Sequence, residues 1–123
     1  METAPKNLLG TTLESCCFDP LTGFYRDGFC ATGREDVGTH IVCAVMTDEF
    51  LKFTRSKGND LSTPRPEWQF PGLKAGDKWC LCILRWLEAE SAGMAPPIIF
   101  GSTNEKALEY TDIELLAKYK FLE

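Results

Sequence analysis

Two uninterrupted apolar runs stand out from an otherwise broken pattern, Ile41-Val42-Cys43-Ala44-Val45-Met46 and Trp79-Cys80-Leu81-Cys82-Ile83-Leu84. Short apolar runs rich in β-branched residues read as strands buried on both faces. Thr47 then stands where an N-cap belongs, and Asp48 and Glu49 suit the positive end of a helix. Phe50, Leu51 and Phe53 supply a buried face, Lys52, Arg55 and Lys57 gather toward the far end, and Gly58 stops the helix. The first run therefore predicts a strand leading directly into a helix.

The second run follows a turn at Lys74-Ala75-Gly76-Asp77. As a strand it places Cys80, Cys82 and Leu84 on one face and Trp79, Leu81 and Ile83 on the other. Positions 79, 82, 83 and 86 also follow helical spacing, so the prediction is a strand continuing into a helix over Arg85–Ala92, ended by Gly93. Met94–Phe100 predicts a third strand, beginning after Pro96-Pro97. Two capping boxes, Ser102 to Glu105 and Thr111 to Glu114, predict short helices, the second reaching about Tyr119.

The remaining chain is punctuated. Asp19-Pro20, Thr22-Gly23, Asp27-Gly28, Thr32-Gly33 and Val37-Gly38 predict an irregular N-terminal wrap, with a tight hairpin at Asp27-Gly28 between Phe24-Tyr25-Arg26 and Phe29-Cys30-Ala31. Residues 58–78 carry Pro64, Pro66 and Pro71 without a period. Leu61, Trp68, Phe70 and Leu73 there need partners, so an ordered surface loop is expected. Together these elements give an α+β fold, a single compact domain over 1–123. Helices pack on a small, three- to five-stranded mixed sheet, with the wrap covering an edge.

A chain of 123 residues holds one core of ordinary size. A net charge of −5 argues against a nucleic-acid surface, which needs a basic stripe. The apolar runs fall short of a membrane span. Residues 1–10, METAPKNLLG, lack the charged start and apolar stretch of a secretory signal. The expectation is a cytoplasmic monomer or small homo-oligomer. Leu122-Glu123 supports no inference.

Several phrases are long and unusual: LTGFYRDGFC at 21–30, DVGTHIVCAVMTDEFLKF at 36–53, GNDLSTPRPEWQFPGLKAGDKWCLC at 58–82, then APPIIF and ALEY. Through them the chain resembles an uncharacterised, mainly bacterial family of small soluble proteins, a domain of unknown function. The resemblance implies an independent domain and supplies no activity, cofactor or catalytic residue. In the family's pattern a second cysteine often precedes the one at Cys30, where this chain has Phe29. A histidine often stands where this chain has Asn104.

Six cysteines, at 16, 17, 30, 43, 80 and 82, are many for a cytoplasmic protein. Without a secretory context they are expected to be reduced, as core residues, metal ligands or nucleophiles. No paired Cys-x₂₋₄-Cys knuckles occur, so metal is not the leading expectation. A soft Zn²⁺ or Cu(I) site of Cys43, Cys80 and Cys82 is geometrically open if the two strands pair. Cys30, beside Arg26 and Asp27, is the best candidate for an exposed reactive thiol. His40 and Cys43 would point to opposite strand faces, which disfavours that pair.

The 58–70 loop is the other source of chemistry. Asn59, Asp60, Ser62, Thr63 and Arg65 crowd donors and acceptors beside Trp68, the usual make-up of a small-ligand site. The same residues also serve loop backbones locally. With the 24–30 turn, the first hypothesis is a binding or weakly catalytic site. Arg26 and Arg65 would clamp a small anionic molecule while Asp27, Asp60 or His40 handles protons. The alternatives are the thiol-based metal or redox protein and a protein-interaction module. Nucleotide-binding loops, serine-hydrolase elbows and zinc-protease motifs are absent. Neither a cofactor nor an enzymatic reaction can be specified.

Overall fold

The computed structural model describes residues 5–68 and 70–121. The opening Met-Glu-Thr-Ala, Gln69 and the closing Leu122-Glu123 lie outside the described residues. Two strands, β1 (His40–Val45) and β2 (Lys78–Cys82), pair antiparallel. Each runs straight into a helix, α1 (Asp48–Ser56) and α2 (Ile83–Ser91), and a short α3 (Ile113–Ala117) follows. The fold is α+β, but among the described residues the sheet has two strands rather than three to five.

The missing strand is the Met94–Phe100 segment. It lies along β1 and makes isolated bridges, Ile98 to Ala44 and Ile98 to Lys120. Val45 N–H donates to the Pro97 carbonyl at 2.9 Å and Ile99 N–H to the Cys43 carbonyl at 2.8 Å. Pro96 and Pro97 have no N–H to offer a ladder, and the chain turns into a 3₁₀ helix at Phe100–Ser102, so pairing stops there. The tight hairpin at Asp27-Gly28 does not form either. Asp27 Oδ1 accepts the Phe29 N–H at 3.0 Å, and Gly28 bonds back to Thr22 and Cys16 within the wrap.

Helix α1 begins as expected, with Thr47 Oγ1 accepting the Phe50 N–H at 3.1 Å. It ends with Gly58 at φ +88°. Helix α2 starts at Ile83, two positions before the expected Arg85, because burying Ile83, Trp86 and Ala89 on one stripe outweighs continuing the strand. The C-terminal caps fall later than the expected Ser102 and Thr111. Asn104 caps a 3₁₀ helix at Glu105–Glu109, and Asp112 caps α3. Ser102 and Thr103 are instead turned inward, their hydroxyls bonding the Ser15 and Ile99 carbonyls.

The main core collects Ile41, Val42, Met46, Phe50, Ile98 and Leu116 around Trp86. The Trp86 indole N–H donates to the Pro96 carbonyl at 3.1 Å, and its ring meets Tyr119 edge-on at 5.1 Å. A second, smaller core consists of Cys16, Cys30, Cys43 and Cys80, with Ile99 against it. These are not reduced thiols: Cys16 is bonded to Cys43 and Cys30 to Cys80. Cys43 and Cys80 face each other across the ladder, and the wrap lays Cys16 and Cys30 over them. The resulting Cα–Cα separations, 5.6 and 5.3 Å, are of disulfide length. The expectation of reduced cysteines rested on the N-terminus, which says nothing about this proximity. Among the described residues, no helix is long and apolar enough to cross a membrane.

Candidate functional site

The wrap, the 58–70 loop and β2 enclose a cleft of about 690 Å³, within the range typical of small-molecule sites. Of the residues singled out in the sequence, Arg26, His40, Asn59, Asp60, Arg65 and Trp68 line it. Ser62, Thr63 and Asp27 do not. Cys30 is fully buried in its disulfide rather than exposed beside Arg26, which removes it as a free nucleophile.

Gly23 makes the turn that aims Arg26. Its φ is +98°, and a Cβ there would stand 2.4 Å from the Phe29 carbonyl oxygen, so only glycine fits. Arg26 itself is a non-glycine residue at φ +55°, with its N–H and Nη1 both donating to the Gly23 carbonyl. A strained backbone held by such bonds is a recurrent property of functional turns. The guanidinium lies 5.2 Å over the Trp79 ring. Arg65 is held by a short paired turn, with its N–H bonded to the Phe70 carbonyl at 2.8 Å and Phe70 N–H returning at 3.0 Å. Neither arginine belongs to any ion pair among the described residues. Trp68 is 66% exposed.

The loop carboxylate and amide have structural duties. Asp60 accepts from the Thr63 hydroxyl and from the Ser62 and Thr63 N–H groups. The Thr63 hydroxyl, with these N–H groups, holds the carboxyl below its ordinary value, so Asp60 stays ionised and is a poor proton donor at neutral pH. Asn59 Nδ2 bonds Thr54 Oγ1 at 3.0 Å and anchors the loop to α1.

His40 forms the cleft's connection to the core. Its Nδ1 lies 2.6 Å from Asp36 Oδ1, while Asp36 Oδ2 accepts the His40 backbone N–H at 2.8 Å and the Thr32 hydroxyl at 3.0 Å. Burial alone would raise the Asp36 carboxyl; the bonds from His40 and Thr32 outweigh it, and the net effect is a lowered value. The ring stacks on Phe24 with centroids 6.3 Å apart and lies over Gly38, where a Cβ would come within 2.6 Å of Cε1. Asp36 was missed in the sequence. Its signal was the Asp-x-Gly-x-His spacing, in which a carboxylate precedes the imidazole by four residues and glycine leaves room for the ring.

An irregularity between His40 and Val42 alters the strand faces: His40 pairs with Cys82, Val42 with Leu81 and Cys43 with Cys80. Partners across a ladder share a face, and Cys80 and Cys82 share one along β2. The extra residue in β1 therefore brings His40 to the Cys43 side, where regular alternation predicted the opposite. Cys82 is a half-buried free thiol lining a smaller pocket of about 210 Å³ with His40, Asn59 and Arg85. The trio Cys43, Cys80 and Cys82 is not the sulfur cluster that forms. The sulfurs of Cys16, Cys30 and Cys80 lie within 4.8 Å of one another, with Cys43 joined to Cys16. Phe29 meets Phe18 edge-on, and Asn104 Nδ2 donates to the Cys30 carbonyl at 3.2 Å.

The chain matches the profile of the uncharacterized proteins conserved in bacteria (DUF2237) over residues 6–120, and it belongs to that family. No curated protein matches it.

Proposed function

We propose that this member of the family binds a small anionic molecule with a flat apolar body in the cleft between the 24–26 turn and the 58–70 loop. The observation that carries this reading is the gathering in one cleft of two guanidiniums outside any ion pair, Arg26 and Arg65, with an imidazole and an exposed indole. Guanidinium groups recognise carboxylate and phosphate oxygens in two-point contacts, and aromatic walls take planar apolar bodies. His40 is backed by a buried carboxylate on Nδ1, which leaves Nε2 as the nitrogen available to a ligand. Weak catalysis by the same site would use His40 as its proton-handling group, since Asp60 is engaged in its own loop.

The test uses 2-naphthoate as the probe and 2-naphthylmethanol as its uncharged counterpart, followed by two-dimensional NMR. Saturable shifts centred on Trp68, His40 and Phe24 with naphthoate alone are expected. Loss of one guanidinium contact costs about 1.5–3 kcal/mol, so Arg26→Ala or Arg65→Ala should weaken binding about ten- to a hundredfold. Equal binding of both probes, or unchanged affinity in both arginine variants, overturns the reading.

A further inference from the structure

We infer that Cys16, Cys30, Cys43 and Cys80 form a redox-gated zinc site, closed as two disulfides when oxidised and holding one Zn²⁺ through four thiolates when reduced. Disulfide pairing by itself requires only that each cysteine meet its own partner. Here the two bridges also meet each other, with Cys16 Sγ within 4.8 Å of the sulfurs of Cys30 and Cys80. A tetrahedral zinc ion with Zn–S bonds of about 2.3 Å sets its sulfurs about 3.8 Å apart. Reduction frees the four side chains to move from the bridged geometry toward that spacing, with Cys43, bonded to Cys16 and opposite Cys80 on the ladder, supplying the fourth sulfur.

The source of the ligands explains why no zinc motif is visible in the sequence. Two sulfurs come from the wrap and two from opposite positions on β1 and β2, so no pair follows knuckle spacing. The cluster is almost wholly buried: Cys30 and Cys43 have no exposure, Cys80 has 1% and Cys16 has 7%. Four protein ligands in a closed pocket describe a structural site, with no open position for water or substrate. In either state the wrap stays pinned to the sheet, by covalent bonds or by the metal. Reduction without metal would release it, and with it the Arg26 wall of the cleft.

The conversion balances with a dithiol as reductant. Each disulfide takes two electrons and two protons from the dithiol, which leaves as its own disulfide, giving two thiols. Zn²⁺ then displaces four protons from the four thiols as the Zn–S bonds form. Cys17 and Cys82, the two free thiols, take no part.

The experiment uses the full chain carrying Cys17→Ser and Cys82→Ser, with Co²⁺ as a spectroscopic probe. One sample is left oxidised and one is reduced with a phosphine under native conditions. The expected result is one Co²⁺ per reduced chain, with the absorption of tetrahedral tetrathiolate coordination, displaced by one equivalent of Zn²⁺. The oxidised sample should bind no stoichiometric Co²⁺. A reduced chain that takes up no stoichiometric Co²⁺, or whose spectrum shows fewer than four thiolates, overturns the inference. So does equal binding by the oxidised chain with both bridges intact. Cys30→Ser and Cys80→Ser should each weaken the metal site. The spectrum of the four-cysteine protein keeps the test decisive even where those variants fail to fold.

Discussion

Removing the Cys30–Cys80 bridge, through Cys30→Ala with Cys80→Ala, is expected to cost about 4 kcal/mol of stability. The bridge spans a sequence separation of 50, and closing a loop of that length restricts the unfolded chain by about 4 kcal/mol in the chain-entropy description. The Cys16–Cys43 bridge spans 27, worth about 3.5 kcal/mol alone. Cys30 lies inside the shorter loop, so the two values do not add. Against a total of about 5–15 kcal/mol for a domain, either loss is large. The assay is urea unfolding followed by tryptophan fluorescence, with Cys17→Ser and Cys82→Ser in both proteins to prevent exchange and a chelator present. With a slope of about 2 kcal/mol per molar urea, the midpoint should fall by about 2 M, and the slope should rise as the freed chain expands. A fall of less than about 0.5 M would show that the restriction is not what the bridge supplies.

Other consequences are narrower. Thr47→Ala removes the cap of α1 and should cost about 1 kcal/mol in the same urea assay. Trp86→Phe strands the Pro96 carbonyl and leaves unfilled volume, for an expected loss of about 2–3 kcal/mol. The native value of Asp36 lies below that of the unfolded chain. Its contribution is therefore complete above the ordinary carboxylate value, about pH 4, and is lost as pH falls through the lower native value. Asp36→Asn should accordingly flatten the acid limb of a stability–pH curve below about pH 4, and an unchanged limb would remove Asp36 from the acid response.

Local signals in the sequence were reliable where one short segment decides the outcome. Both apolar runs form strands, the second only as far as Cys82, and the Thr47 cap opens its helix where expected. The Met94–Phe100 strand failed because β-branched composition competes with two prolines that cannot donate to a ladder. The start of α2 moved because the helical stripe of Ile83, Trp86 and Ala89 already begins inside the apolar run. At the candidate site, the meeting of the 24–26 turn with the 58–70 loop agrees with the density of polar and aromatic residues in both. Asp36 left only a local trace, the Asp-x-Gly-x-His spacing, and its role emerges from what His40 and Thr32 do around it. The disulfides were invisible, because the ladder partnership of Cys43 with Cys80 is a tertiary fact. The strand irregularity that turns His40 toward that face leaves no composition mark in the residues at 40–42.

The Cys30–Cys80 bond joins the wrap to β2 across the whole stretch that contains the 58–70 loop. A protease that nicks the loop therefore leaves two fragments still attached, travelling as one species until a reductant is added. Arg26 sits four residues from one end of that tie and Trp79 is next to the other, so the guanidinium and indole stacked on each other are fastened from both sides. The loop wall carrying Arg65 and Trp68 has no such tether. Mechanically, one wall of the cleft is fastened by a covalent bond and the facing wall by noncovalent contacts such as Asn59 to Thr54.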